Sequence, residues 1–333
     1  MRRAFVRLLA FIGVIPTVMA EAPPPRPQEL AHTFSIVARD PRTGEMGVAV
    51  QSHWFSVGTV VAWAEAGAGA VATQSFVQPS YGRDGLESMR KGTVAADALY
   101  QLLKADVARN VRQVAFVDAK GNVAVWTGSH CIDSAGHIAG ARKRERRIDG
   151  APNDGAIHVG QGYSVQANMM VNDRIWPAMD KAFNQKKGDL ADRLLAALDA
   201  AQAAGGDARG RQSAALVVVK AKSSGKPWED RVFDLRVEDH ESPLVELRRL
   251  AGIARAYQHM NAGDLAVEHK DNEGALLEYE AAVKLAALVF ITSISKSHHG
   301  RDARRAKRRK RGGQQDDEQH SQRRCRERQR VRH

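Results

Sequence analysis

The chain has 333 residues, enough for one large domain or two smaller ones; 43% are hydrophobic and 26% charged, the balance of a soluble globular protein with its own core. The net charge of +12 suggests a nucleic-acid binder, but its distribution argues against one. Residues 301–333 carry a net +9 and residues 1–20 a net +3, so residues 21–300 are neutral, with 33 basic and 33 acidic side chains.

The first 20 residues, MRRAFVRLLAFIGVIPTVMA, combine a basic start, an apolar run and small residues before Ala20. This is the pattern of a secretory signal peptide cut after Ala20, and the run is short for a membrane span. A Pro-rich, extended linker follows over 21–32. No later apolar run approaches membrane length, so the expectation is an exported protein, periplasmic or extracellular, with no membrane span after signal cleavage. Cys131 and Cys325 could pair in an oxidising compartment, but Cys325 lies in a low-complexity basic stretch and no bridge is expected. The chain has no CxxC or HExxH spacing, and no metal or organic cofactor is implied.

In chain order, residues 33–40 and 46–52 alternate or run apolar around Asp40-Pro41-Arg42-Thr43-Gly44, which predicts a β-hairpin. Apolar stretches over 58–63 and 69–73 flank a glycine-rich turn. Helical spacing covers 81–91 and 94–105. Residues 112–118 and 123–127, joined by Lys120-Gly121-Asn122, predict a second hairpin. The segment 141–161 contains Arg142-Lys143-Arg144-Glu145-Arg146-Arg147 and is read as a solvated loop. A strand over 162–170 leads to a helix near 173–184. An amphipathic helix over 190–204 ends at Gly205-Gly206. Strands follow at 213–221 and 231–237. Strands grouped with helices in this order predict an α+β fold with antiparallel sheets.

Residues 244–287 form a helical unit. Gly263, Ala275, Tyr279 and Ala282 fall at the spacings of a tetratricopeptide repeat, which this stretch resembles. One repeat cannot bury its apolar face alone, yet residues 288–333 turn abruptly into an aperiodic basic tail. That change reads as the frameshifted end of a longer repeat-bearing chain; the alternative is a disordered basic tail that meets polyanions.

The chemistry centres on Thr33. A threonine hydroxyl needs a base to act as nucleophile. At a chain terminus its own α-amine, with an ordinary pKa of roughly 7.7–8.0, could serve. The competing reading is a plain β-former at the start of a strand.

The blocks that surround Thr33 add to this. Thr33–Asp40 with Gly47–Val50, Val61–Gly67, Gly69–Gln74, Thr127–Cys131 with Gly136-His137, Gly162–Met169, Gly205–Asp207, Arg209–Ala214 and Asp234–His240 together resemble a bacterial family of unknown function. That family, domain of unknown function 1028, is assigned to the Ntn-hydrolase (N-terminal nucleophile) superfamily. The resemblance spans about residues 33–250. It implies a four-layer αββα sandwich over 33–243, with the nucleophile on the first strand. Family members often begin Met-Thr-Phe-Ser. Here signal cleavage would expose Glu21, so a free Thr33 amine requires a second cut between His32 and Thr33.

On this reading Thr33 attacks an amide carbonyl, and Asn168 and Arg211 steady the developing charge. Ser52, Gln74, Gln166 and Asp239 hold a small-molecule or peptide-like substrate. Arg209 is a second candidate for holding a carboxylate. His53, His137, His240 and Cys131 are read as structural. The alternative function is a non-catalytic module for cell-envelope ligands, or for a protein partner that meets the helical repeat. The neutral middle of the chain argues against nucleic acid.

Overall fold

A computed structural model describes residues 30–31, 33–141, 144–149 and 155–287. The expected signal segment, residues 21–29 and 32 of the expected linker, Cys325 and the basic tail lie outside the described residues. The described residues form an α+β fold of two antiparallel sheets and six helices. The first sheet runs β1 (Leu30–Ala31), β5 (Gly69–Phe76), β6 (Arg112–Asp118), β7 (Asn122–Thr127), β10 (Ala156–Gln161) and β9 (Arg144–Arg147), with β4 (Ala62–Glu65) also paired to β5. The second runs β13 (Arg231–Val237), β12 (Ser213–Val219), β3 (Met46–Ser52), β2 (Thr33–Arg39), β11 (Tyr163–Ala167) and β8 (Gly136–Ala139). Both expected hairpins form, β2 with β3 and β6 with β7; Thr33 lies opposite Ser52.

Strand alternation distributes the core. Phe34, Ile36 and Ala38 of β2 face α3 (Ile175–Gln185), α4 (Leu190–Ala203) and the start of α5 (Pro243–Glu268), packing with Phe183, Leu194, Leu198 and Leu247. Val37 of the same strand faces the other way. It joins Val48, Val50, Ala72, Ala115, Val125 and Val217 between the two sheets. On the far side of the first sheet, Val71, Phe116 and Trp126 pack with Leu99 and Leu103, under α1 (Ser80–Arg90) and α2 (Ala95–Ala105). Each fully buried Val, Leu or Phe is worth about 1.5–3 kcal/mol, so these three clusters dominate the stability. Local signals set the helix ends: Asp189 caps α4 by accepting from the Asp192 N–H at 2.8 Å, and Gly206 follows its C-terminus at a φ of +71°.

Four segments differ from the sequence reading. Leu30–Ala31 is not linker but a short edge strand on β5. The stretch 58–63 opens with a 3-10 turn, and β4 begins only at Ala62. The supposed loop at 141–161 contains β9 and β10. Its charge run suits a sheet edge, where charged side chains discourage pairing with other chains; Arg146 donates to Asp97 and stacks 3.9 Å from the centre of the Tyr100 ring. Finally, the helical unit is not detached at its start, because Leu244, Leu247 and Ala251 of α5 belong to the main core. The end of α5 pairs with α6 (272–287), where Tyr279 lies over Gly263 and donates to Asp264 Oδ1 at 2.7 Å. No helix among the described residues is long and apolar enough to cross a membrane.

Candidate active site

Thr33 opens β2, between β3 and β11, and is fully buried. Alternation turns its side chain into the space between the sheets. One end of that space is apolar. At the other end the inward residues are polar: Thr33 and Ser35 of β2, Ser52 of β3, Gln74 of β5, Gln113 of β6, Thr127 of β7, Ser164 and Gln166 of β11, and Ser213 of β12. Burying so many polar groups is costly unless they bond to one another.

They do. Thr33 Oγ1 donates to Ser52 Oγ at 3.2 Å. The Thr33 carbonyl accepts from Gln74 Nε2 at 3.1 Å, from the Asn168 main-chain N–H at 3.1 Å and from Asn168 Nδ2 at 3.4 Å. Gln113 is the hub: its Oε1 accepts from Gln74 Nε2 at 2.7 Å and Asn168 Nδ2 at 3.0 Å, while its Nε2 donates to Thr127 Oγ1 and the Ala167 carbonyl, each at 2.9 Å. Ser35 Oγ donates to Gln74 Oε1 at 2.6 Å and accepts from Gln166 Nε2 at 2.7 Å. Beyond Thr127 the network continues to His137 Nδ1 at 2.7 Å, from His137 Nε2 to His158 Nδ1 at 2.6 Å, and from His158 to Glu145 at 3.5 Å.

Thr33, Ser52, Gln74, Gln166 and Asn168 therefore share one buried network. Arg211 and Asp239 do not join it. Both are exposed and line a cleft of about 660 Å³ with His53, Gln212, His240 and Glu241. The cleft adjoins the network through the backbone: the Gln212 N–H donates to the Ser52 carbonyl at 3.1 Å, and His53 is the next residue after Ser52. Arg209 is committed elsewhere. Its Nη2 and Nε donate to the two oxygens of Asp207 at 2.8 and 3.2 Å, and Asp207 also accepts from the His53 N–H at 3.0 Å, which ties the loop to the end of β3. His240 accepts from the Ser242 N–H through Nδ1 at 2.9 Å, so Ser242 fixes its ring.

Burial pushes the Cys131 thiol up, against the pull of Ser75 and the Gly128 N–H; its Sγ donates to the Arg112 carbonyl at 3.3 Å. A thiol so held is not poised as a nucleophile. Among the described residues no group of three or more His, Cys, Asp or Glu could hold a metal ion.

Sequence reading overlooks Gln113, Ser35, Thr127 and His158. The signal for the first three is the alternation itself: on each strand a polar residue replaces Val or Ala at an inward position near one end.

Among curated proteins, none matches this chain. The crystal structure of a protein from Silicibacter pomeroyi, assigned to the DUF1028 family, is similar at 30% identity; the match covers 66% of this chain and 88% of that one, with a TM-score of 0.53. The family model of DUF1028, described as a family of unknown function, matches residues 33–144 and 149–247. The matched region begins at Thr33 and takes in the buried network from Thr33 to His158 and the adjoining cleft, and the chain belongs to the DUF1028 family of unknown function.

Proposed function

We propose that this protein is an exported N-terminal nucleophile hydrolase that cuts amide bonds of a small or peptide-like substrate, with Thr33 as nucleophile once the bond before it has been cut. One observation carries the reading: Thr33 opens a central strand, its hydroxyl faces the polar end of the inter-sheet space, and three N–H donors hold its carbonyl. Two facing sheets with helices on both outer sides agree with the four-layer αββα sandwich of the Ntn superfamily. The basic-apolar leader supports export.

In this mechanism the α-amine of Thr33, with an ordinary pKa of roughly 7.7–8.0, takes the hydroxyl proton as Oγ1 attacks the substrate carbonyl carbon. The C–N bond breaks, the protonated amine gives its proton to the leaving nitrogen, and water hydrolyses the acyl ester on Thr33. Ser52 orients the hydroxyl. The Asn168 Nδ2 bond to the Thr33 carbonyl is long at 3.4 Å, a weak bond that a developing oxyanion can replace. Arg211 and Asp239 serve the charged part of the substrate in the adjoining cleft. The test is amine release from a panel of N-acyl amino acids and peptides. The wild type hydrolyses at least one, Thr33→Ser keeps part of the rate and Thr33→Ala none; full activity in Thr33→Ala overturns the mechanism.

A second reading, a non-catalytic module that binds an envelope partner, is favoured by the hairpin of α5 and α6, where Leu276, Leu277 and Val283 are 60%, 68% and 69% exposed. A stable Glu21 terminus in the exported protein would support it.

A further inference from the structure

We propose, resting on the hydrolase reading, that the edge of β5 at Ser75–Phe76 is a main-chain recognition slot for an extended peptide substrate, and that Leu30–Ala31 fills it in the uncut chain. Leu30 lies opposite Phe76 and Ala31 opposite Ser75, antiparallel, in the first sheet. Thr33 begins β2 in the second sheet. A single residue therefore separates a strand in one sheet from a strand in the other, so the chain changes sheets between Ala31 and Thr33, the stretch that contains the 32–33 bond. The pairing lays the backbone that precedes this bond along β5, beside Gln74, whose Nε2 holds the Thr33 carbonyl.

Three observations mark this edge. Ser75 has a φ of +70°, a left-handed conformation that is costly for a non-glycine residue and persists where the surroundings impose it. Its Oγ is buried without a well-formed hydrogen bond, with the Cys131 thiol beside it. The region shared with the family begins at Thr33, so the two residues that fill the slot lie outside it. Further along, β4 already covers the same edge, pairing Ala62 with Ala72 through Glu65 with Gly69. The slot is thus short and defined at both ends.

A strand edge offers alternating N–H and C=O groups, and an added strand gains affinity through its main chain. Hydrolysis of the 32–33 bond adds one water, leaving a carboxylate on residue 32 and an ammonium on Thr33. Leu30 and Ala31, paired with β5, then stand on the side where the acyl part of a substrate belongs. The substrate class follows: peptides with at least three residues before the scissile bond, extended and selected by main chain more than by side chain.

The test uses full-length protein in a Thr33→Ala background, with the 32–33 bond verified intact by mass. Ala31→Pro removes an edge N–H and empties the slot; Leu30→Pro is the second variant, and circular dichroism checks that both fold. Fluorescence anisotropy follows a labelled peptide of residues 25–32, PRPQELAH. The expected result is binding at least about tenfold tighter to the proline variants than to Thr33→Ala alone, and a loss of about tenfold or more when the two slot amides of the peptide are N-methylated. Equal binding to all three proteins, or no effect of N-methylation, overturns the slot. The wild type is then given the peptide of residues 25–34, PRPQELAHTF. Slot binding without hydrolysis of any peptide counts against the hydrolase reading and leaves the slot standing. Hydrolysis that is indifferent to N-methylation does the reverse.

Discussion

Gln74 reaches across the gap between the sheets to Thr33: its Nε2 donates to the Thr33 carbonyl at 3.1 Å, while its Oε1 accepts from Ser35 Oγ, on the same strand as Thr33, at 2.6 Å. One amide on the first sheet thus grips two residues of the second. Gln113 backs it, accepting from Gln74 Nε2 at 2.7 Å. On its inner face the end of β2 is held by amides, while Phe34 packs on the other face.

Gln113→Leu should therefore be among the most damaging single changes. It removes the acceptor of Gln74 and Asn168 and the donor to Thr127 and Ala167. A buried polar group left unpaired costs about 1–3 kcal/mol, and several are left at once. Urea unfolding should show a loss of about 3 kcal/mol or more. A loss below about 1 kcal/mol would mean that the network is not structural.

Arg211→Ala should act on binding more than on chemistry. The guanidinium lines the outer cleft, and its contact with the reacting atoms depends on the substrate. With a substrate identified by the amine-release panel, KM should rise about tenfold, the loss expected for a charge-assisted contact, with kcat within about threefold. A fall in kcat with KM unchanged would move Arg211 into the transition state.

Gly85 allows α1 to sit on the first sheet. A Cβ there would come within 2.4 Å of Phe116 Cζ, and Phe116 is fully buried. Gly85→Ala gains about 1 kcal/mol of helix propensity but overpacks the core at about 1–3 kcal/mol. The clash wins because a buried ring has nowhere to go. Thermal unfolding should show a lower Tm; a rise would show that α1 can lift without cost.

Asp40 gives the fold an acid limit. Burial alone raises its pKa, but the main-chain N–H groups of Arg42 and Thr43 and the charges of Arg42 and Arg193 outweigh it and hold the carboxyl below its ordinary value. A depressed folded pKa means stability that is fully present above the unfolded value, about 3.9, and lost as pH falls through the lower folded one. Wild type should exceed Asp40→Asn by a constant margin above about pH 5, and the margin should shrink below about pH 4. Urea melts across pH check this; a margin that grows on acidification contradicts it.

What the sequence discloses depends on range. The β2–β3 hairpin and α4 are legible because alternation, turn residues, caps and glycines act over a few positions. The polar network is only half legible. Each inward amide interrupts an apolar strand, but Gln74 and Gln113 lie 39 residues apart, and only sheet register shows that they meet. β9 is hidden because six consecutive residues dominated by Arg and Lys read as solvent-exposed, and its pairing depends on β10. Leu30–Ala31 is hidden for a similar reason: a Pro-rich context masks a strand that exists only against β5.

The proposed mechanism requires Thr33 to become a chain terminus. N-terminal sequencing and intact mass of the protein recovered from the exporting cell test it most directly. The recovered chain should begin Thr33-Phe34-Ser35, and the same protein carrying Thr33→Ala should keep residues 21–32. A wild-type chain that stably begins at Glu21 would contradict it.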